Sequence, residues 1–174
     1  MRDLYVPKHL ALQTSKTGYG VFASKRIKKG GVVCEVYFDS IRPRRAATRK
    51  SIQVWEDAFF NNSLETIDDY FNHSCDPNAF LQFSNYVLRA LREIDAGKEI
   101  TWNYLTTEFD LAADDQDFEC MCISDKCVGH VKGFKFLTEE QKWRLLPQLS
   151  TYLRTKMFDI EFPSVQSDGT MNFA

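Results

Sequence analysis

The stretch NHSCDPN occupies residues 72–78, and a second short stretch, AGKEITWNY, occupies residues 96–104. The first combines Asn, Ser, Asp and Pro, whose side chains and backbone preferences favour a compact turn. The second contains a β-branched and aromatic run, which predicts a short strand over 100–104 after a turn at 95–98. His73 in the first stretch is a candidate base, although a lone histidine is more often structural. Taken alone, the two stretches predict a tight polar loop and a strand.

The residues around these stretches carry further signals of short strands separated by turns. Turns are predicted at 18–20 and at 28–31, each followed by an apolar strand, the second of which spans 32–38. A hairpin is predicted over 79–90, around Ser-Asn at its centre. The basic and mixed segment 42–60 is expected to be helical or irregular. The pattern therefore indicates a mainly β fold with some α structure.

After Thr138 the strand signals give way to helix signals. Thr138 and Gln141 have the spacing of a capping box, which predicts the start of a helix. Pro147 is expected to begin a second helix, because proline fits the first turn of a helix but disrupts its interior. These helices are expected to serve packing rather than chemistry. Residues 163–174 are expected to form a loose tail.

Three of the five cysteines are closely spaced. Cys120, Cys122 and Cys127 form a C-x-C-x4-C pattern, which favours a metal site over three free buried thiols. Three thiolates do not complete a tetrahedral zinc site, so a fourth ligand must come from elsewhere in the chain. The candidates for that fourth ligand are Cys34, Cys75 and His130.

Composition and charge exclude some classes of function. The formal net charge of −2 and the sequence pI near 5.9 do not indicate a nucleic-acid-binding protein. No apolar run approaches the roughly 20 residues of a membrane span, and residues 1–10 lack the apolar core of a signal peptide. We therefore expect an intracellular protein whose cysteines are reduced, in the nucleus or cytoplasm of a eukaryote or the cytoplasm of a bacterium.

Four stretches, in this order, resemble the SET-domain family of protein-lysine methyltransferases. The stretches 18–36, 72–78 and 96–104 are similar to the three sequence blocks of SET domains, and 118–129 is similar to the post-SET segment. Each block alone is only suggestive, but four in register are specific. The resemblance covers roughly residues 5 to 137, and no cysteine-rich pre-SET region is seen.

The resemblance implies a fold and a division of the chain. The implied fold consists of short curved sheets with a knot-like crossing of loops, a zinc-bound post-SET segment and C-terminal helices. The implied division is a SET domain over 1–117, a post-SET zinc segment over 118–137, and a C-terminal helical extension with its tail over 138–174.

The resemblance also implies roles for individual residues. Tyr104 matches the tyrosine beside the transferred methyl group, and Cys75 matches the fourth zinc ligand. Trp102 stands where the family carries Phe or Tyr in the substrate channel, a position that helps to set the number of methyl groups added. The residues implied to bind the donor S-adenosylmethionine are Gly18, Tyr19, Gly20, Asn72 and His73.

The implied function is S-adenosylmethionine-dependent methyl transfer to a lysine of a protein, with zinc as a structural cofactor. The substrate would carry a basic, lysine-containing segment, such as a histone tail. The acidic stretch 110–119 could attract such a segment, although a solvated loop explains it equally well. The alternatives are a catalytically weak SET module that binds a peptide or protein partner, and a plain zinc module. The family often has an Arg-Phe pair before the Asn-His motif, whereas Asp69-Tyr70-Phe71 precedes it here. The sequence does not indicate an oligomeric state.

Overall fold

The computed structural model describes residues 4–160 and the strand residues 164–165 and 171–172. Short strands dominate this part of the chain, and two α-helices follow them. No helix within it has the length and apolar character needed to cross a bilayer. The elements are β1 (Leu10–Ser15), β2 (Gly18–Ala23), β3 (Val32–Glu35), β4 (Ser40–Arg42), β5 (Ile52–Trp55), β6 (Ala58–Asn61), β7 (Asn72–His73), β8 (Ala79–Gln82), β9 (Val87–Ala90), β10 (Thr101–Trp102), β11 (Phe118–Glu119), β12 (His130–Val131), α1 (Glu139–Leu145), α2 (Thr151–Phe158), β13 (Ser164–Val165) and β14 (Met171–Asn172).

The strands form small sheets rather than one continuous sheet. β1 and β2 form a hairpin, and three-stranded sheets have the orders β3-β9-β8 and β4-β6-β5. β7 and β10 pair in parallel, with Asn72 opposite Thr101 and His73 opposite Trp102. This parallel pair brings the two stretches 72–78 and 96–104 side by side.

Two groups of buried side chains hold these sheets together. In β2 and β8, residues two positions apart are buried, including Val21 and Ala23, as the side-chain period of a strand requires. This first core extends from Leu10 to Trp102. A second core, which includes Phe134 and Tyr152, joins the cysteine-containing segment to the two α-helices.

The mainly β fold predicted from the sequence is confirmed, and so is the hairpin, which is β8–β9. The turn predicted at 18–20 was placed wrongly, because these residues already pair with β1 and the turn lies at Lys16-Thr17. The strand predicted over 32–38 is β3 but ends at Glu35. Phe38 has left that sheet and stacks on Phe60, with ring centroids 3.6 Å apart.

The basic part of the segment 42–60 is irregular, as predicted, with one 3-10 turn at Arg44–Ala46, whereas the rest of the segment forms β5 and most of β6 instead of a helix or loop. Phe59 and Phe60 on β6 are both buried. The helix at Thr138 is capped as predicted, with Thr138 accepting from the Gln141 backbone. Pro147 does not begin a second α-helix but lies within a single 3-10 turn, Leu146–Gln148. α2 starts later, after the N-cap Ser150.

The loose tail predicted for 163–174 lies mostly outside the described residues. Within it the structure describes only the antiparallel pair β13 and β14.

Candidate active site

A large cleft of about 860 Å³ opens beside the parallel pair β7–β10. Its walls come from the β1–β2 turn, from the stretches 72–78 and 96–104, and from the segment around Cys120 and Cys122. A small cavity of about 50 Å³ lies next to it. That volume exceeds the roughly 10–15 Å³ that one water molecule needs. The residues that line both spaces are Arg49, Tyr104, Leu111 and Gln116.

Asn72 is held in the wall of the large cleft by a polar network. Its amide nitrogen donates to the Tyr19 carbonyl at 3.0 Å and to Glu99 Oε1 at 2.7 Å. The Ser15 hydroxyl donates to the same Glu99 oxygen at 2.8 Å. A Cβ added at Gly20 would lie 2.4 Å from Glu99 Oε1 and 2.9 Å from the Asn72 amide nitrogen. Gly20 is therefore needed for the close approach of β2 to this network.

Glu99 was not singled out from the sequence, although it stands within the stretch 96–104. Its partners Ser15 and Asn72 lie 84 and 27 positions away along the chain. Only the folded arrangement of β1, β7 and β10 shows that its carboxylate orients Asn72.

His73 connects the cysteine cluster to Tyr104. The backbone N–H of Tyr104 donates to His73 Nδ1 at 3.2 Å, which leaves the ring proton on Nε2. Nε2 lies 3.3 Å from Cys75 Sγ, so this N–H donates to the sulfur. Burial lowers the pKa of His73 to about 4, so the ring is neutral at pH 7. Hydrogen bonds of this kind orient groups around metal-bound thiolates.

Tyr104 stands in the partition between the two spaces. Its ring makes edge contacts with His73, Trp102 and Phe118. Its hydroxyl donates to the Phe71 carbonyl at 2.8 Å. Burial raises its pKa well above the ordinary value, so the phenol is neutral, with its proton directed to Phe71 and its oxygen lone pairs able to accept.

The four cysteines Cys75, Cys120, Cys122 and Cys127 come together, with all sulfur atoms within 4.8 Å of one another. The sulfurs of Cys75 and Cys120 are 3.8 Å apart. A tetrahedral zinc ion with zinc–sulfur bonds of about 2.3 Å requires sulfur separations of roughly 3.8 Å. The donor set and its spacing therefore fit zinc.

The thiol electrostatics differ within this cluster. Burial raises the pKa of Cys75 to about 11. At Cys122 burial acts in the same direction, but hydrogen bonds from the backbone of Ser124 and Cys75 and from neighbouring thiols lower the pKa to about 7. The other two candidates for the fourth ligand lie elsewhere, since Cys34 is buried in β3 and the His130 ring contacts Asp117 and Glu119.

The sequence-predicted residues 18–20 flank the large cleft but do not line it, and the turn before them does. Tyr19 is 56% exposed and packs edge-on against Tyr70. Trp102 lines the small cavity together with Phe71 and Tyr104.

The acidic stretch 110–119 is largely paired within the chain. Asp114 bonds Arg44 at 2.5 Å, and Asp110 pairs with Lys135. Two further carboxylates, Asp117 and Glu119, contact His130, whose pKa they raise. Arg44 and Lys135 therefore offset two of the five carboxylate charges in this stretch, which reduces the negative charge that the sequence alone would offer to a basic peptide.

The SET-domain family model matches residues 18–105, half of the chain. The chain belongs to the SET-domain family. This SET-domain protein is 30% identical over 153 residues to the variant-silencing SET domain-containing protein of Plasmodium falciparum, covering 75% of this chain and 6% of that protein. It is 30% identical over 144 residues to the histone-lysine N-methyltransferase mes-4 of Caenorhabditis elegans, covering 64% and 15% respectively. The chain thus spans a small part of these curated relatives.

Solved structures of KRYPTONITE share the fold of this SET-domain chain. A complex with mCHG DNA and SAH gives a TM-score of 0.57 at 24% identity, over 70% of this chain and 28% of that one. A complex with mCHH DNA, an H3(1-15) peptide and SAH gives 0.54 at 23% identity, over 70% and 29%. At these levels of sequence identity, the two structures show a shared fold and nothing more.

Proposed function

We propose that this SET-domain chain transfers a methyl group from S-adenosylmethionine to the side-chain amine of a lysine in a protein. The observation that carries the proposal is that Tyr104 lines both the large cleft and the small cavity. A donor in one space and an amine in the other would then meet at this side chain. Relatives named as histone-lysine N-methyltransferases and the SAH in the KRYPTONITE complexes support the same chemistry.

The large cleft is the proposed donor site. Its volume of about 860 Å³ lies within the range of roughly 300–1,000 Å³ for small-molecule pockets. Asn72 and His73 line the cleft, and Gly20 allows β2 to approach them closely. We assign Gly18 and Tyr19 to the same site because they flank its rim.

The small cavity is the proposed lysine site, with Trp102 as part of its wall. Methyl transfer from a sulfonium to an amine is an in-line displacement, so the protein contributes mainly by positioning the two reactants. The Tyr104 oxygen accepts a hydrogen bond from the amine and faces the partial positive charge on the methyl group. The rings of Phe71, Trp102 and Tyr104 in this wall leave little room for water around the amine. The bulk of Trp102 would restrict the number of methyl groups that the cavity accommodates.

Zinc bound by the four clustered cysteines would be the structural cofactor. When bound, it supplies a rigid cross-link between the loop after β7 and the segment from Phe118 to Val131. Cys120 and Cys122 are themselves part of the wall of the large cleft, so this cross-link would fix that wall. We propose the division into 1–117, 118–137 and 138–174 on this basis.

The proposed substrate is a protein with a basic, lysine-containing segment, such as a histone tail, encountered in the nucleus or cytoplasm. The H3(1-15) peptide in a KRYPTONITE complex supports a histone-like peptide. The test is incubation of the purified chain with methyl-labelled S-adenosylmethionine and mixed core histones. We expect label in histone protein, whereas donor binding without transfer to histones or to whole-cell protein extract would favour the binding module instead.

Gly20→Ala is expected to weaken binding of S-adenosylmethionine. The new Cβ would displace Glu99 and Asn72, and restoring their arrangement around the donor would cost roughly 1–3 kcal/mol, the scale of overpacking, or about 5- to 150-fold in affinity. Isothermal titration calorimetry measures the change. Ser15→Ala is the milder control, since it removes one bond to Glu99 without adding volume. Parental affinity in folded Gly20→Ala would remove this network from the donor site.

A further inference from the structure

Glu108 is a buried carboxyl group in the wall of the small cavity. It follows Tyr104 by four residues, its backbone N–H donates to the Tyr104 carbonyl at 2.9 Å, and it is 8% exposed. It lines the cavity together with Trp102 and Tyr104. Its Oε1 accepts from the backbone N–H of Gln53 on β5 at 3.1 Å, which fixes the side chain.

Glu108 has no dedicated counter-ion. Within residues 4–160, no Lys or Arg nitrogen lies within 4 Å of its carboxylate, and Arg44 pairs instead with Asp114 at 2.5 Å. A carboxylate buried in this way is costly unless a cation accompanies it. A lysine ammonium that entered the small cavity would supply that cation.

The electrostatic surroundings leave Glu108 able to exchange a proton near neutral pH. Burial raises its pKa to about 7, against hydrogen bonds from Gln53 and Thr107 that favour the anion. Arg44 lowers its pKa further and Asp114 raises it. The other charged residues around the cavity are Arg49, Lys50, Asp68 and Asp69.

The reaction requires that the substrate amine lose a proton before it attacks the methyl group. A lysine amine has an ordinary pKa near ~10.4, so at neutral pH it is an ammonium without a lone pair for attack. Tyr104 does not take the proton, because its phenol is neutral and already donates to the Phe71 carbonyl. Glu108 is a carboxyl group that shares the cavity with the Tyr104 ring.

We propose that the Glu108 carboxylate is the general base that takes a proton from the substrate lysine ammonium in the small cavity. This inference rests on the proposed methyl transfer. In the first step an N–H bond breaks and an O–H bond forms on Glu108. The freed lone pair then forms the C–N bond as the C–S bond of the donor breaks, with the bonding electrons remaining on sulfur.

The decisive variant is Glu108→Gln, which keeps the side-chain volume and an oxygen acceptor for the Gln53 N–H. With mixed core histones as substrate, we expect kcat/KM at pH 7 to fall about 10²-fold, the usual scale for loss of a general base. For the parent, kcat/KM should rise up to about pH 7 and then level. For Glu108→Gln, kcat/KM should continue to rise towards pH 9, because only solvent then deprotonates the amine. The difference in kcat/KM between parent and variant should therefore become smaller as the pH rises.

Two controls separate catalysis from structure. Glu56→Gln removes an exposed carboxylate from the turn between β5 and β6, outside both spaces, and should keep the parental pH profile. Glu108→Asp retains a carboxylate, so its kcat/KM should be lower than that of the parent but should still level near neutral pH. This variant provides a test if Glu108→Gln does not fold. In the parent, ¹³C NMR of labelled Glu carboxyls should show one group titrating near pH 7 that is absent in Glu108→Gln.

If Glu108→Gln kept the parental rate and pH profile, the proposed role of Glu108 would be overturned, but the proposed methyl transfer would not be affected. The role of Glu108 would also be overturned if kcat/KM of Glu108→Asp failed to level near neutral pH. The absence of a Glu carboxyl that titrates near pH 7 in the parent would overturn it as well. A parent that transfers no methyl group to any protein overturns the proposed function itself, and with it this inference.

Discussion

Tyr104→Phe is expected to lower the rate of methyl transfer by about 10²–10³-fold, the usual scale for loss of one polar contact preorganised for the transition state. The substitution keeps the ring that packs against His73, Trp102 and Phe118. It removes only the oxygen that would orient the amine and the methyl group. The loss should therefore appear in kcat under single-turnover conditions, with little change in donor affinity by calorimetry.

The structure adds a stability cost to this expectation. The Tyr104 hydroxyl donates to the Phe71 carbonyl, so its removal should lower the free energy of unfolding by about 0.5–1.5 kcal/mol. Tyr86→Phe is the matched control, because it removes a hydroxyl at the β8–β9 turn, outside both spaces, and should retain the parental rate. Near-parental turnover of folded Tyr104→Phe would exclude its oxygen from the reaction.

Cys120→Ser is expected to abolish stoichiometric zinc binding and to weaken S-adenosylmethionine binding by more than about 10²-fold. One lost thiolate breaks a four-sulfur site, and structural zinc sites contribute on the order of 10 kcal/mol to folding of the segment they hold. Cys120 and its neighbour Met121 line the large cleft, so the cleft wall should lose its order with the metal. Elemental analysis and calorimetry measure the two effects.

Cys34→Ser is the matched control for this loss. Cys34 is buried in β3 and lies outside the four-sulfur cluster, so its replacement should leave one zinc ion per chain. A Cys120→Ser protein that still holds one zinc ion and binds the donor as the parent does would contradict the proposed ligand set.

Features that depend on neighbouring residues could be predicted from the sequence. The hairpin around residues 84–85 and the cap at Thr138 are set by local backbone and side-chain preferences, and both are found. The strands β5 and β6 within 42–60 were missed, because the basic run that precedes them suggests a solvated segment. These strands are stabilised by the pairing of β6 with β4 and β5 and by the stacking of Phe60 on Phe38, all of which are tertiary contacts.

In the candidate site, too, only the features set by residues close in sequence could be predicted. The C-x-C-x4-C spacing indicates a metal site because its ligands are close in sequence. The roles of Glu99 and Glu108 could not be inferred, since a carboxylate acquires its role from its surroundings. Glu108 meets the Gln53 backbone 55 positions away, and Glu99 meets Ser15 at 84 positions, so only the fold reveals their burial and their partners.

Mass spectrometry of the reaction product tests the central claim most directly. The purified chain is incubated with S-adenosylmethionine and core histones, with Tyr104→Phe in parallel, and the peptides are sequenced. We expect one or more methyl groups on the side-chain nitrogen of specific lysines, at much lower occupancy with Tyr104→Phe. Methylation confined to other residue types, or equal occupancy with both proteins, would contradict lysine methyl transfer at Tyr104.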